Sequence, residues 1–152
     1  LSRFNVNWLH RFAHDVQARV RFTAQYTRDE LLSGEQFGLG GMGSVRGFYE
    51  REYAGDKGYS GTFEVYSPDL AASFSHGIRA RLLAFYDYGS AWLNNPQIFE
   101  QPVTRISAAG PGIRIAYKTD FSLRLDYGFA IAKGTPTNTE SGRANLSMVW
   151  VF

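Results

Sequence analysis

Strict alternation of apolar and polar residues over long segments is the feature that most limits what this chain can fold into. In FSLRLDYGFAIAK, residues 121–133, apolar side chains occupy the odd positions from Phe121 to Ile131, whereas the even positions include Arg124 and Asp126. A period of two is the pattern of a β-strand with one apolar and one polar face. Because the alternation runs past about ten residues with charge on one face only, it favours a strand that crosses a membrane.

Six further segments show the same period, and together they predict an all-β chain, an antiparallel meander of about seven strands. Their sequences are RFNVNWLHRF, DVQARVRFTAQYT, GYSGTFEVY, GIRARLLAFYDYGSAW, RISAAGPGIRIAYK and RANLSMVWVF. Short predicted links near AHD, SPDLAASFSH and KTD alternate with long ones at 29–58, 93–103 and 134–142. Outer-membrane barrels have short periplasmic turns and longer extracellular loops. Since such a barrel needs at least about eight strands to close, we expect part of a larger barrel.

The orientation of the two faces follows from the cost of placing charge in lipid. Each arginine turned toward the bilayer midplane would cost about 2–4 kcal/mol, so the polar face is expected to line the lumen. This assignment makes the lumen wall net basic, with the acids Glu64, Asp87 and Asp126 outnumbered. The predicted lumen basic residues are Arg19, Arg21, Arg79, Arg81, Arg114 and Arg124.

Composition narrows the classes of function. The chain is 16% aromatic and contains 16 glycines, which is a β-rich composition. It has no cysteine, which removes disulfides, thiol catalysis and cysteine metal sites. A net charge of +2 from mixed signs gives no basic patch for nucleic acid. No run approaches about 18 consecutive apolar residues, so a transmembrane helix is excluded.

Short motifs that resemble catalytic or binding signatures lack the context these signatures need. GLGGMG satisfies G-x-G-x-x-G, but the SVRGFYEREY that follows is a poor helix start. His10 and His14 lie at a predicted turn, in HRFAH, without the glutamate of H-E-x-x-H. We therefore predict no enzyme activity, no metal ion and no cofactor. The loop glycines Gly40, Gly41 and Gly43 are interpreted as positions that allow tight bends.

The long connection at about 29–58 is the strongest candidate for a functional element, because loops of this length are mostly functional or disordered. Its apolar residues argue against disorder and for packing in the lumen: Phe37, Leu39, Val45, Phe48 and Tyr49. A guanidinium carried into a partly dry lumen needs a planar acceptor, and a bidentate carboxylate serves best. Arg46 in the loop and an inward Asp87 fit that need, with a solvated surface arginine as the alternative.

At this point the residues match a known family. SGEQFGLGGMGSVRGFYEREYAGDKGYSGTFEVYSP resembles the signature of the two-partner secretion transporters (TpsB, the hemolysin activator proteins) of the outer-membrane assembly and secretion superfamily. The V-R-G-[FY] motif of that family matches Val45, Arg46, Gly47 and Phe48, and its F-x-D-x-G motif matches Phe85, Asp87 and Gly89. Trp150 and Phe152 resemble the C-terminal strand signal read by the barrel assembly machinery.

The resemblance implies that residues 1–152 are the C-terminal part of a sixteen-stranded transmembrane β-barrel in the outer membrane of a Gram-negative bacterium. Residues 29–58 would be a loop folded into the lumen, with Arg46 anchored to Asp87. The POTRA domains and first barrel strands of the family are expected to be absent from this chain. The implied function is transport of a secreted TpsA-like exoprotein as an extended polypeptide. Outer-membrane lipid and the barrel assembly machinery are the other implied partners.

Two alternatives stay open. Within the same superfamily, an assembly insertase or a patatin-linked barrel would share the motifs. AAGPGIRIAYKTDFSLRLDY lacks the Ser-Pro that insertases usually carry near this strand. Outside the superfamily, a soluble β-sandwich binding domain could also alternate along its strands.

Overall fold

The computed structural model describes residues 1–73, 77–132, 134 and 141–151, and these contain nine β-strands. The strands are β1 (Ser2–Arg11), β2 (Gln17–Tyr26), β3 (Phe37–Leu39), β4 (Tyr53–Gly55), β5 (Lys57–Tyr66), β6 (Ile78–Trp92), β7 (Val103–Tyr117), β8 (Phe121–Ala132) and β9 (Gly142–Trp150). A single 3-10 turn, Ala13–Asp15, joins β1 to β2 in this described part. No helix of the described residues is long and apolar enough to cross a membrane.

Seven of the described strands form one antiparallel sheet in the order β1-β2-β5-β6-β7-β8-β9. Each long strand pairs with the next long strand along the chain, which confirms the predicted meander. The short strands β3 and β4 pair only with each other. A sandwich needs two comparable sheets face to face, so the soluble sandwich alternative is wrong.

The connections lie close to where the sequence predicted them. The long one predicted at 29–58 runs from 27 to 56, and the one predicted at 93–103 runs from 93 to 102. The first of these contains the β3–β4 hairpin, which was not predicted because strands of three residues carry too little periodicity. The third long link, 134–142, lies mostly outside the described residues.

The two faces of the sheet differ as the alternation predicts. On one face large apolar side chains are exposed, for example Phe4 at 60% and Phe129 at 52%. On the other face carboxylates are buried, with Glu64 at 1% and Asp87 at 0%. A protein in water would bury the first face and solvate the second. The observed arrangement fits an apolar face in lipid and a charged face toward a lumen.

Aromatic side chains cluster near both ends of the outward face. At the end with the long loops, Phe22 stacks on Tyr59, with ring centroids 6.1 Å apart, and Tyr59 lies 5.5 Å from Trp92. At the end with the short turns, Phe121 and Trp150 meet edge to face at 5.9 Å. Aromatic rows at both interfaces are typical of outer-membrane barrels, where they flank the apolar band.

Candidate functional site

Residues 27–56, called the lumen loop below, fold back onto the inner face of the sheet. Four apolar residues of the loop are buried against Ala91, Ile106 and Ala108 of the wall. These loop residues are Phe37, Leu39, Val45 and Phe48. Tyr49 was expected to pack with them but is exposed, with the Arg143 guanidinium 3.4 Å from its ring centroid. Apolar burial therefore holds the loop against the wall and positions the arginine within it.

Arg46, in the buried part of the loop, contacts Asp87 of β6. Its Nε donates to Asp87 Oδ2 at 2.8 Å and its Nη2 donates to Asp87 Oδ1 at 2.8 Å. The backbone N–H of Arg46 also donates to Oδ2, at 3.0 Å. Arg46 is 1% exposed. A bidentate pair with a further backbone bond fixes both the position and the orientation of the guanidinium.

Two more carboxylates reach the same guanidinium. Arg46 Nη1 donates to Glu64 Oε1 of β5 at 2.8 Å and to Asp126 Oδ2 of β8 at 3.4 Å. The ring of Phe85 lies under the guanidinium, with its centroid 3.5 Å from Cζ. One loop side chain thus contacts strands β5, β6 and β8, and each of its three guanidinium nitrogens donates to a carboxylate.

The charges around Arg46 are balanced by other wall arginines. Arg114 of β7 donates to both oxygens of Asp126, at 2.7 and 2.9 Å. Arg21 Nη2 lies 3.7 Å from Glu64 Oε1. Because buried charges are stable only when they are paired, this alternation of arginines and carboxylates allows the loop to dock without leaving an uncompensated charge.

Glycines in the loop and in the wall allow the loop backbone to pack closely against the sheet. Gly47, directly after Arg46, has a φ of 99°, a backbone conformation that is unfavourable for residues with a Cβ. Opposite it, a Cβ on Gly128 of β8 would lie 2.6 Å from the carbonyl carbon of Arg46. Gly89, the last residue of the F-x-D-x-G motif, leaves room for Leu39 in the same way, since a Cβ there would meet Leu39 Cδ2 at 2.5 Å.

The predicted loop glycines differ from one another. Gly40 and Gly41 have φ values of 104° and 88°, so bends that favour glycine occur at both. Gly43 is not among the residues with positive φ, and a Cβ there would meet nothing closer than 4.0 Å. The local structure therefore does not require glycine at position 43.

At the end of the sheet with the long loops, Asp56 connects two loops. Its Oδ1 accepts from the backbone N–H of Leu31 at 2.9 Å and from Gln36 Nε2 at 3.3 Å, while its Oδ2 accepts from the N–H of Asn94 at 2.7 Å. Burial works against the charge of Asp56, but these donors hold the pKa of its carboxyl below the usual range. The Asn94 side chain also donates to the carbonyl of Asp29, at 2.9 Å. The connection after β6 is thereby tied to the lumen loop.

Below Arg46, toward the short turns, the wall and the loop line an open cavity of about 320 Å³. All six predicted lumen arginines line it: Arg19, Arg21, Arg79, Arg81, Arg114 and Arg124. The loop contributes Met42 and Arg46, and the carboxylates in its lining are Glu64 and Asp126. The cavity is called the arginine cavity below.

Arg81 also connects two short turns. Its Nη2 donates to the side chain of Asp15, and its Nη1 donates to the carbonyls of Asp15 and Ser67 at 2.9 and 2.8 Å. The bond from Arg81 is the main reason that the pKa of Asp15 lies below its usual range. Asp15 also accepts from the N–H of Asp69, at 3.2 Å.

Three sequence expectations concern residues outside this cluster. Trp150 ends β9 on the outward face and is 68% exposed, whereas Phe152 lies outside the described residues. His10 was predicted at a turn, but it belongs to β1 and stacks on Trp8 with ring centroids 5.6 Å apart. The regular strand extends to Arg11 because its pairing with Gln17 continues the ladder.

Sequence reasoning missed two features of this site. Glu64 and Asp126 were identified only as acids of the net basic lumen wall. The sequence signal that they could reach Arg46 was their position on the lumen-facing side of the alternation. Asp56 carried no signal, because its partners are backbone and amide donors in distant segments. In the described ranges, no group of three or more His, Cys, Asp or Glu is arranged to hold a metal ion.

Comparisons with known proteins agree with this architecture. Residues 1–115 match the model of the family described as haemolysin secretion/activation protein ShlB/FhaC/HecB. No curated protein sequence matches the chain.

Among solved structures, the fold is similar to that of CdiB from Acinetobacter baumannii, with a TM-score of 0.69 and 22% sequence identity. The match covers 97% of this chain and 26% of that chain, so this chain spans about a quarter of the length of CdiB. Proteins of the matched family lie in the outer membrane of Gram-negative bacteria. The chain belongs to the ShlB/FhaC/HecB family of haemolysin secretion/activation proteins and forms part of an outer-membrane β-barrel.

Proposed function

We propose that this chain is the C-terminal barrel portion of a two-partner secretion transporter, which passes an extended polypeptide through its lumen. The observation that carries the proposal is the docked lumen loop, anchored by Arg46 to Asp87 with N–O distances of 2.8 Å. Family membership supports a transporter and gives no support to an enzyme.

In this proposal the lumen loop occupies the space through which the polypeptide passes. Its apolar residues keep it on the wall, and its one buried arginine gives the docked state a defined geometry. Release of Arg46 would leave Asp87, Glu64 and Asp126 without their shared partner. Wall arginines such as Arg21 and Arg114 lie close enough to limit that cost. The loop can therefore be held in place and still be displaced by a passing chain, without ATP.

The remaining parts of the proposal come from the family resemblance. The complete protein would add POTRA domains in the periplasm and further strands that close a sixteen-stranded barrel. Its partners would be a TpsA-like exoprotein, outer-membrane lipid and, during insertion, the barrel assembly machinery. The outward apolar face, with Phe4 and Leu82 half exposed or more, is the surface we assign to lipid.

The test is Arg46→Ala in the complete protein, with Arg28→Ala as the matched control. Arg28 belongs to the same loop but is exposed. Removing one partner from a buried charge cluster costs about 3–5 kcal/mol, so we expect secretion of the exoprotein to fall roughly tenfold or more. The barrel should still insert, which is measured by its heat-modifiable mobility in outer-membrane fractions. Normal secretion by Arg46→Ala would remove this residue from the mechanism.

A further inference from the structure

We propose that the arginine cavity binds carboxylate groups of the polypeptide in transit, which makes an acidic extended segment the preferred occupant of this part of the lumen. The inference rests on the proposed transport function and names the chemistry of its substrate.

The lining of the arginine cavity holds more positive charge than its carboxylates can neutralise. Glu64 and Asp126, the acids in the lining, are both within ion-pair distance of Arg46 and Arg114. Among the residues that the structure describes, Arg79 and Arg124 form no ion pair. Within the same described residues, Arg19 donates to a neutral group, Asn7 Oδ1 at 3.3 Å. Three guanidinium groups thus remain available at the cavity surface.

The strand register places three of the cavity arginines, Arg81, Arg114 and Arg124, directly beside one another. Arg81 is opposite Arg114 in the β6–β7 pair, and Arg114 is opposite Arg124 in the β7–β8 pair. Like charges directly opposite in a sheet are destabilising. Asp15 and Asp126 relieve Arg81 and Arg114, whereas Arg124 has no such relief in the described part of the chain. An anionic group bound in the cavity would remove this repulsion.

The size and form of the cavity favour a side chain over a folded ligand. A volume of about 320 Å³ holds one or two acidic side chains but no folded domain. In an extended chain, every second side chain points the same way, at a spacing of about 6.6 Å. Such a chain along the wall would present Asp or Glu side chains to the guanidinium groups in turn. Each carboxylate can be bound in the planar, bidentate manner that Arg46 and Asp87 already show.

The charge of the cavity would also act before contact. A concave site of one sign between low-dielectric walls focuses its field and raises the local concentration of oppositely charged groups. Met42 and Arg46 of the lumen loop line the same cavity. An acidic segment attracted to Arg79 and Arg124 would therefore arrive directly below the docked loop.

The test uses the complete protein in planar lipid bilayers and measures block of its ion conductance. A decameric glutamate peptide, a decameric lysine peptide and inorganic phosphate are added on the side of the short turns. We expect block by the glutamate peptide only. The double variant Arg79→Gln, Arg124→Gln should weaken that block roughly tenfold, since each pair in a partly hydrated site contributes a few-fold. Arg105→Gln, an exposed residue near the other end of the sheet, is the control and should leave the block unchanged.

Equal block of the parent and the double variant would overturn the proposal, as would equal block by the lysine peptide. Block by phosphate at the same concentration of charge would show a general anion site and overturn the assignment to polypeptide carboxylates. Secretion by each variant is measured in parallel. If the exoprotein is secreted through a lumen that the glutamate peptide does not block, the inference fails while the proposed transport function stands.

Discussion

Replacing Gly128 by alanine tests whether the fit of the loop backbone to the wall, independent of charge, keeps the lumen loop docked. The substitution leaves Arg46 and its three carboxylate partners chemically intact. A Cβ at position 128 would lie 2.6 Å from the carbonyl carbon of Arg46 and from the nitrogen of Gly47. These are backbone atoms, so no side-chain rotation can relieve the contact.

The magnitude follows from the distances. Ordinary contacts of a Cβ begin near 3.4 Å, so the loop must move away by roughly 0.8 Å. A shift of this size would stretch the bonds of Arg46 to Asp87, now 2.8 Å, past the limit of a hydrogen bond. Overpacking of this kind costs about 1–3 kcal/mol. The undocked fraction of the loop should therefore rise by a factor of about 5–150.

The assay is chemical labelling of a thiol introduced at Val45, which is fully buried in the docked loop. These 152 residues contain no cysteine, so Val45→Cys adds the only thiol in this chain. In outer-membrane vesicles, the rate of labelling by a polar maleimide reports the undocked fraction. Gly128→Ala should raise that rate by the factor above. Gly43→Ala is the matched control and should not change it, because its Cβ would meet nothing closer than 4.0 Å.

Two outcomes bear on this reasoning in different ways. Labelling in the Gly128→Ala background at the parent rate would refute the idea that the backbone fit keeps the loop docked. Faster labelling in both alanine variants would point instead to a general loosening of the loop. The added β-strand propensity of alanine at position 128 stabilises β8, which is formed whether the loop is docked or not, so it does not offset the effect on docking.

Two further predictions concern ionisable groups outside the membrane-spanning strands. Asp56 has a lowered pKa in the folded chain, so its contribution to stability is present above the unfolded value of about 3.9 and is lost as pH falls through the folded pKa. Asp56→Asn should remove this pH dependence and should increase cleavage of residues 27–36 by external protease at neutral pH. Glu30→Gln is the control and should leave the cleavage unchanged. The pKa of Asp15 is also lowered, so its contribution to stability is likewise lost at low pH. Because the bond from Arg81 is the main cause, Arg81→Gln should weaken the loss of stability below about pH 4, measured by heat-modifiable mobility.

The sheet was predictable because the inside and the outside of a barrel wall differ so strongly. Along β8, every residue is either compatible with lipid or with a charged lumen, and a shift by one position would turn Arg124 and Asp126 into lipid. The alternation therefore specifies the strand and its orientation together. His10 shows the limit, since HRFAH contains no alternation that tells the end of a strand from the turn that follows.

The candidate site could be predicted only in part. A guanidinium in a packed loop needs a carboxylate, and the inward phase of Asp87 made it a candidate before the family resemblance was considered. The contributions of Glu64 and Asp126 depend on which residues stand beside each other across β5 to β8, and the cross-strand register cannot be read from single strands. The Asp56 contacts depend on backbone donors at Leu31 and Asn94, which leave no trace in the sequence.

One consequence of the Arg46 contacts concerns the shape of the wall. Strands β5 and β8 are separated by β6 and β7, so in a flat sheet they would lie about 14 Å apart. Arg46 Nη1 nevertheless lies 2.8 Å from Glu64 on β5 and 3.4 Å from Asp126 on β8. These two distances bring the carboxylate oxygens within about 6 Å of each other, an approach that a concave wall favours. One arginine side chain of the loop thus connects strands that are three positions apart in the sheet, so docking of the loop and curvature of the wall support each other.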